Sequence, residues 1–147
     1  KKGGYEIEID ELVKNIESSN EIQGITLLGG EPLQQPEAIL KLIKNMKRLD
    51  LSVFLYTGYD ISEFDVIMQS CFDNSDIVVT GRYLQEKRNT NLRWRGSTNQ
   101  IIHFPTKRYR HFEIEERNEI EIIIDEKGAI SFFGYPDEET RLWASEI

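Results

Sequence analysis

Apolar residues recur along this chain with two different spacings, and the alternation between them sets out its elements. From Asp10 to about Ser18, DELVKNIES puts Leu12, Val13 and Ile16 on one helical face, with Asp10 as the N-cap. Gly24 to Leu28 is a compact apolar run ending at Gly29-Gly30, which fits a buried strand followed by a turn that needs glycine. Pro36 suits a first helical turn, and Ile39, Leu42, Ile43 and Met46 then keep helical spacing through PEAILKLIKNMKR. Leu51 to Tyr56 reads as a second strand closed by Thr57-Gly58. Ser62 to Phe72 reads as a third helix with Phe64, Ile67, Met68 and Cys71 inward, and Asp76 to Val79 as a third strand. Strands alternating with helices at this spacing predict right-handed βαβ units and a parallel sheet.

The pattern then changes. Tyr83 to Thr98 is polar, basic and aperiodic, as expected of a long surface loop, and Gln100 to Phe104 allows a short fourth strand. Beyond it, HFEIEER and EIEIIID alternate, and the second run meets AISFF across Asp125-Glu126-Lys127-Gly128, a hairpin signature with Gly128 at a position suited to positive φ. A last helix from about Glu138 to Ile147 is expected to dock Leu142 and Trp143. The division that follows is a β/α unit over 1–110 and a hairpin-and-helix extension of the same domain over 111–147.

Composition narrows this picture. The 147 residues are 39% hydrophobic and 30% charged, a globular balance for one domain, and no apolar run approaches the roughly 20 residues of a bilayer crossing. The net charge of −8 argues against nucleic acid or an anionic membrane engaging the whole surface. The charge is uneven, however. Arg82 to His111 holds eight Lys or Arg against Glu86 alone, a patch of +7 on a body of −15. Cys71 is the single cysteine, so no intrachain disulfide forms and a reducing cytoplasm is the expected compartment. The chain opens Lys1-Lys2-Gly3-Gly4 without Met, which leads to the expectation that residues upstream of Lys1 exist.

In open parallel sheets the ligand lies at the carboxyl ends of the strands. Here those ends read Gly29-Gly30-Glu31-Pro32, Thr57-Gly58-Tyr59 and Thr80-Gly81-Arg82. Glycines admit a ligand close to the backbone. Glu31 offers acceptors for an ammonium and Arg82 a two-pronged donor for a carboxylate, so an amino-acid-like ligand suits both. Each glycine alone would be an ordinary turn; the three exits together are the signal. Neither a G-x-x-x-x-G-K phosphate loop nor a G-x-G-x-x-G fingerprint occurs.

GITLLGGEPLQQP, VFLYTGYD, DIVVTGRY and RGSTNQIIHF, in this order and spacing, resemble the radical S-adenosylmethionine activating enzymes of glycyl-radical proteins, the anaerobic ribonucleotide reductase activase type with a 4Fe-4S single cluster domain. The resemblance spans about Tyr5 to Phe104. It implies an α/β fold, a partial β/α barrel of the radical S-adenosylmethionine type, here followed by a C-terminal β-hairpin and helix. Its strand ends would hold a 4Fe-4S cluster and S-adenosylmethionine. By the resemblance, Gly29, Gly30 and Glu31 fall on the glycine-rich motif facing the methionine amino group. Thr57 and Gly58 line the same pocket, Arg82 binds the methionine carboxylate, and Asn99 belongs to the RGSTNQ segment. In that chemistry a reduced cluster passes an electron to the sulfonium, and the resulting 5′-deoxyadenosyl radical takes hydrogen from a glycine of a partner enzyme. The family's C-x3-C-x2-C loop is absent from this sequence and is expected upstream of Lys1; Thr80 stands where relatives carry an acid.

The remaining residues have plainer readings. Cys71 on the inner face of a helix is a small hydrophobe, and His103 and His111, without partners at ligand spacing, are packing or surface residues. The acids from Glu113 to Glu121 suit the solvent face of an edge hairpin. Tyr83, Trp94, Phe104 and Tyr109, interleaved with the basic residues, offer the alternative of a non-catalytic module. Such a module would bind an acidic protein partner or single-stranded nucleic acid through this loop, the acidic body standing against nucleic acid.

Overall fold

A computed structural model describes residues 4–19, 21–116, 120–126, 128–134 and 138–145. Helix α1 (Ile9–Glu17) leads into β1 (Gly24–Leu27), α2 (Pro36–Arg48), β2 (Ser52–Tyr56), α3 (Val66–Asn74), β3 (Ile77–Thr80) and β4 (Ile101–His103). The four strands form one sheet in the order β1-β2-β3-β4. The first three are parallel, with Ile25 opposite Val53 and Leu55 opposite Val78. β4 runs antiparallel to β3, with Thr80 opposite Ile101. The chain is a mixed α/β structure.

Period-two alternation on β2 gives the sheet two faces. Val53 and Leu55 are fully buried beside Leu42, Ile43, Met46, Cys71 and Val78, forming the core with the helices. Each such aliphatic side chain contributes about 2 kcal/mol by leaving water. Phe54 and Tyr56, at the alternate positions, stack on each other at 4.6 Å on the opposite face.

That second face is covered by the basic segment. Trp94 meets Phe54 edge-on at 5.3 Å, Phe112 stacks on Trp94 at 5.3 Å, and the Arg93 guanidinium lies 5.0 Å from the Trp94 ring centre. Glu116 folds back to accept from the Arg93 backbone N–H at 2.7 Å and pairs with Arg95. The loop is thus ordered against the sheet, and Glu116 serves it instead of a hairpin surface. Aperiodic sequence concealed this because its contacts reach across the chain, Trp94 to Phe54 over 40 positions and Glu116 to Arg93 over 23.

Several boundaries differ from the expectations. Glu8 takes the N-cap position of α1, and Asp10 sits in its first turn, where a carboxylate favours the helix dipole. The third helix starts only at Val66, because Asp65 accepts from the N–H groups of Ile67 and Met68 as its cap; Ile61–Glu63 forms a separate 3-10 turn.

Strands β5 (Ile120–Ile124) and β6 (Ile130–Gly134) pair antiparallel as a separate two-stranded sheet, followed by α4 (Glu138–Ser145). Gly128 has φ +79° at the turn. Leu142 and Trp143, expected to dock, remain 60% and 48% exposed, and Ile124 and Phe133 on the hairpin are exposed as well. Among the described residues no helix is long and apolar enough to cross a membrane.

Candidate functional site

The carboxyl ends of β1 and β2 are tied together by one carboxylate. Glu31 Oε1 accepts from Leu33 N at 3.0 Å and from Thr57 Oγ1 at 2.8 Å, while Oε2 accepts from Gly58 N at 2.7 Å. The same side chain caps the 3-10 turn Pro32–Gln34. Thr57 Oγ1 in turn accepts from Tyr59 N at 3.2 Å. Glu31 was expected to offer its oxygens to an ammonium; instead it is a clasp holding two strand exits in register, since three donors converge on it from its own chain.

Around this clasp lies a cleft of about 300 Å³ lined by Gly29, Gly30, Glu31, Tyr56, Thr57 and Gly58, with Tyr83 and Gln100 across from them. Gly29 and Gly30 have φ of +86° and +53°, and a Cβ on either would meet nothing within 4 Å, so the turn presents bare backbone to open space. Gly58 is constrained differently: a Cβ there would lie 3.4 Å from Glu31 Oε2 and 3.7 Å from Arg82 Cγ.

Arg82 stands in an adjoining recess of about 240 Å³ with Glu31, Gly58 and Tyr59. Its two terminal nitrogens bind both oxygens of Glu63, at 2.7 and 2.8 Å. Hydrogen bonds from Arg82 and from Asp60 N hold the Glu63 carboxyl down at about 2. A carboxylate therefore already occupies the fork that the sequence assigned to a ligand's carboxylate. Asn99 is not in the cleft; its Nδ2 donates to the Arg82 carbonyl at 2.8 Å, and its Oδ1 is buried without a hydrogen-bond partner. Thr80 is buried, 2.9 Å from His103 Nε2, and burial keeps the His103 ring below its ordinary pKa.

Six of the seven expected residues thus meet: Gly29, Gly30, Glu31, Thr57 and Gly58 in one cleft, and Arg82 beside it. Tyr56 and Glu63 were missed. Strand alternation could have placed Tyr56 opposite the core, but no local pattern links Glu63 to Arg82, 19 residues on.

Residues 3–103 match the family described as 4Fe-4S single cluster domain. The chain belongs to that family. It is 38% identical over 85 residues to an anaerobic ribonucleoside-triphosphate reductase-activating protein of Haemophilus influenzae, covering 55% of each chain. To the proteins of that name from Escherichia coli K12 and Enterobacteria phage T4 it is 30% and 33% identical, over 64% of this chain and 64% and 60% of theirs. The chain thus matches little more than half the length of the first of these relatives. No solved structure matches it.

The family implies an iron-sulfur cluster, and the donors of this chain do not fit one. Among the described residues no group of three His, Cys, Asp or Glu could hold a metal. The one cysteine, Cys71, is fully buried between α3 and α2, 3.4 Å from the Pro36 carbonyl, and burial pushes its thiol up to about 11.

Proposed function

We propose that this chain forms the S-adenosylmethionine-binding part of a radical S-adenosylmethionine activating enzyme that acts on a glycyl-radical protein of the anaerobic ribonucleotide reductase class. The carrying observation is the convergence of three strand exits on one cleft, with the Glu31 clasp at its floor and Arg82 at its side, in a chain of this family. The donor set suits a zwitterionic amino acid. Open backbone at Gly29 and Gly30 provides carbonyls for an ammonium, and Arg82 binds a carboxylate once it leaves Glu63. Bound S-adenosylmethionine supplies a sulfonium whose reductive cleavage yields the 5′-deoxyadenosyl radical. The chain's own residues bind and orient it: Glu31 and Thr57 fix the two exits, and Gly58 keeps the approach between Glu31 and Arg82 clear.

In this reading the three parallel strands, with helices on one face, are part of a partial β/α barrel over residues 1–110, extended by residues 111–147. The enzyme works in the cytoplasm with a glycyl-radical partner and an external electron donor. Cluster thiolates come from outside these 147 residues, since the only thiol here is inaccessible. Titration calorimetry of the chain with S-adenosylmethionine tests the pocket; no heat of binding overturns it. For the whole protein, anaerobic preparation with iron and strong reductant should release 5′-deoxyadenosine, and its absence would remove the radical assignment.

The lone buried thiol also favours a second reading, a non-catalytic module that keeps the fold and binds a protein partner. Iron content of the full-length gene product after anaerobic reconstitution separates the two. The basic loop supports nucleic-acid stacking less well. Trp94 is held between Phe54 and Phe112, and Arg82, Arg95 and Arg108 are paired with Glu63, Glu116 and Asp50.

A further inference from the structure

The polar side chains lining the cleft can be accounted for one by one. Glu31 holds three internal donors. Thr57 donates to Glu31 and accepts from Tyr59 N. The Tyr83 hydroxyl donates to Gln85 Oε1 at 2.7 Å. Gln100 Oε1 accepts from the N–H groups of Gly96 and Ser97, and its Nε2 donates to the Gly81 carbonyl. Only the Tyr56 hydroxyl has no hydrogen bond to another described residue, although Tyr56 lines the same cleft.

The ring itself is firmly placed. Tyr56 ends β2, its face stacked on Phe54 with 20° between the planes, and Phe54 is in turn covered by Trp94. A half-buried phenol held this way loses little freedom when its hydroxyl finds a partner. Burial pushes its pKa up to about 12, so at neutral pH it is a donor as well as an acceptor. Arg82, in the adjoining recess, must break two bonds to Glu63 before it can serve a ligand, whereas the Tyr56 hydroxyl has none to another described residue to break.

We infer that the Tyr56 hydroxyl is a ligand-binding group of this cleft, donating a hydrogen bond to a carboxylate oxygen at the amino-acid end of S-adenosylmethionine. The assignment rests on the reading of the cleft proposed above. It divides recognition between a side-chain donor for the carboxylate and the exposed backbone of Gly29 and Gly30 for the ammonium.

The test is titration calorimetry on the 147-residue chain and its Tyr56→Phe variant, each with S-adenosylmethionine and with the decarboxylated analogue. Tyr56→Phe is expected to weaken S-adenosylmethionine binding about tenfold or more, the usual loss for a hydrogen bond to a charged group, and to leave the decarboxylated analogue within twofold. Equal affinity of both chains for S-adenosylmethionine overturns the inference while the cleft reading stands; so does an equal loss for both ligands. If the wild-type chain binds neither ligand, the cleft reading falls and this inference with it. Because the hydroxyl has no partner among the described residues, the unliganded variant should melt within about two degrees of wild type. A drop of several degrees would assign the hydroxyl to packing and overturn the proposal.

Discussion

Opposite ends of the same sheet carry two carboxylates that each gather three donors, and they do so to different ends. At the amino end of β3, Asp76 Oδ1 accepts from Lys47 Nζ at 2.9 Å and Thr106 Oγ1 at 2.5 Å, and Oδ2 accepts from Val53 N at 3.0 Å. Burial alone would push this carboxyl up, but the Thr106, Lys47 and Val53 hydrogen bonds outweigh it and hold it below its ordinary value. Asp76 is fully buried and faces a cation, so its network closes on itself and braces α2, β2 and the segment after β4. At the carboxyl end, Glu31 gathers the same number of donors from backbone and a hydroxyl, with no cation, beside a cleft that stays open. One triad of hydrogen bonds finishes the scaffold; the other shapes a space for something else.

The largest effect should come from breaking the first network. Asp76→Ala leaves Lys47 and Thr106 without their acceptor and is expected to destabilise the chain by about 3 kcal/mol or more in urea unfolding, the range for removing one partner of a buried pair. The affinity of the remaining folded protein for S-adenosylmethionine should be unchanged. Glu31→Ala should invert this pattern, weakening S-adenosylmethionine binding by about 1 to 3 kcal/mol in calorimetry while lowering stability by less than Asp76→Ala does. If the two variants gave the same profile, the distinction between the two ends would be wrong.

Acid sharpens the same contrast. A carboxyl with a lowered folded-state pKa stabilises the fold above its unfolded value, and the contribution fades as pH falls through the folded value. Asp76 lies below its ordinary 3.8, so the gap in unfolding free energy between wild type and Asp76→Asn should be full near neutrality and narrow as pH drops below about 3.8. A gap constant with pH would detach Asp76 from the acid limb.

The smallest effect concerns Glu63, which is exposed and shares its charge with Arg82. Glu63→Gln should scarcely change the melting temperature, as exposed ion pairs contribute little. It should instead strengthen S-adenosylmethionine binding severalfold, because Arg82 no longer has an internal carboxylate to leave. Weaker binding would mean that Glu63 orients Arg82 rather than competing for it.

How legible this was from sequence depended on the range of the interaction. The strands and helices of the β/α part were readable because Ile39, Leu42, Ile43 and Met46 repeat at helical spacing and Val53 and Leu55 at strand spacing, and both periods answer to one core. The glycine-rich exits were readable because a turn leaves a local mark. What Glu31 does with its oxygens was not, since Thr57 and Gly58 lie 26 and 27 residues away, and a carboxylate's partners leave no periodic trace. The cover of Phe54 by Trp94 was hidden for the same reason, and so was the exposure that Leu142 and Trp143 keep, as an amphipathic pattern does not specify how much of each side chain is covered.

Cys71 has a practical consequence. Because the sole thiol of these 147 residues is enclosed and stays protonated at neutral pH, maleimide reagents should pass it by, and the 147-residue chain is a blank background for labelling. A cysteine introduced on the cleft rim, at Tyr83 for instance, would carry a fluorophore alone, and occupancy of the cleft could then be followed by emission without removing any native residue from the interior.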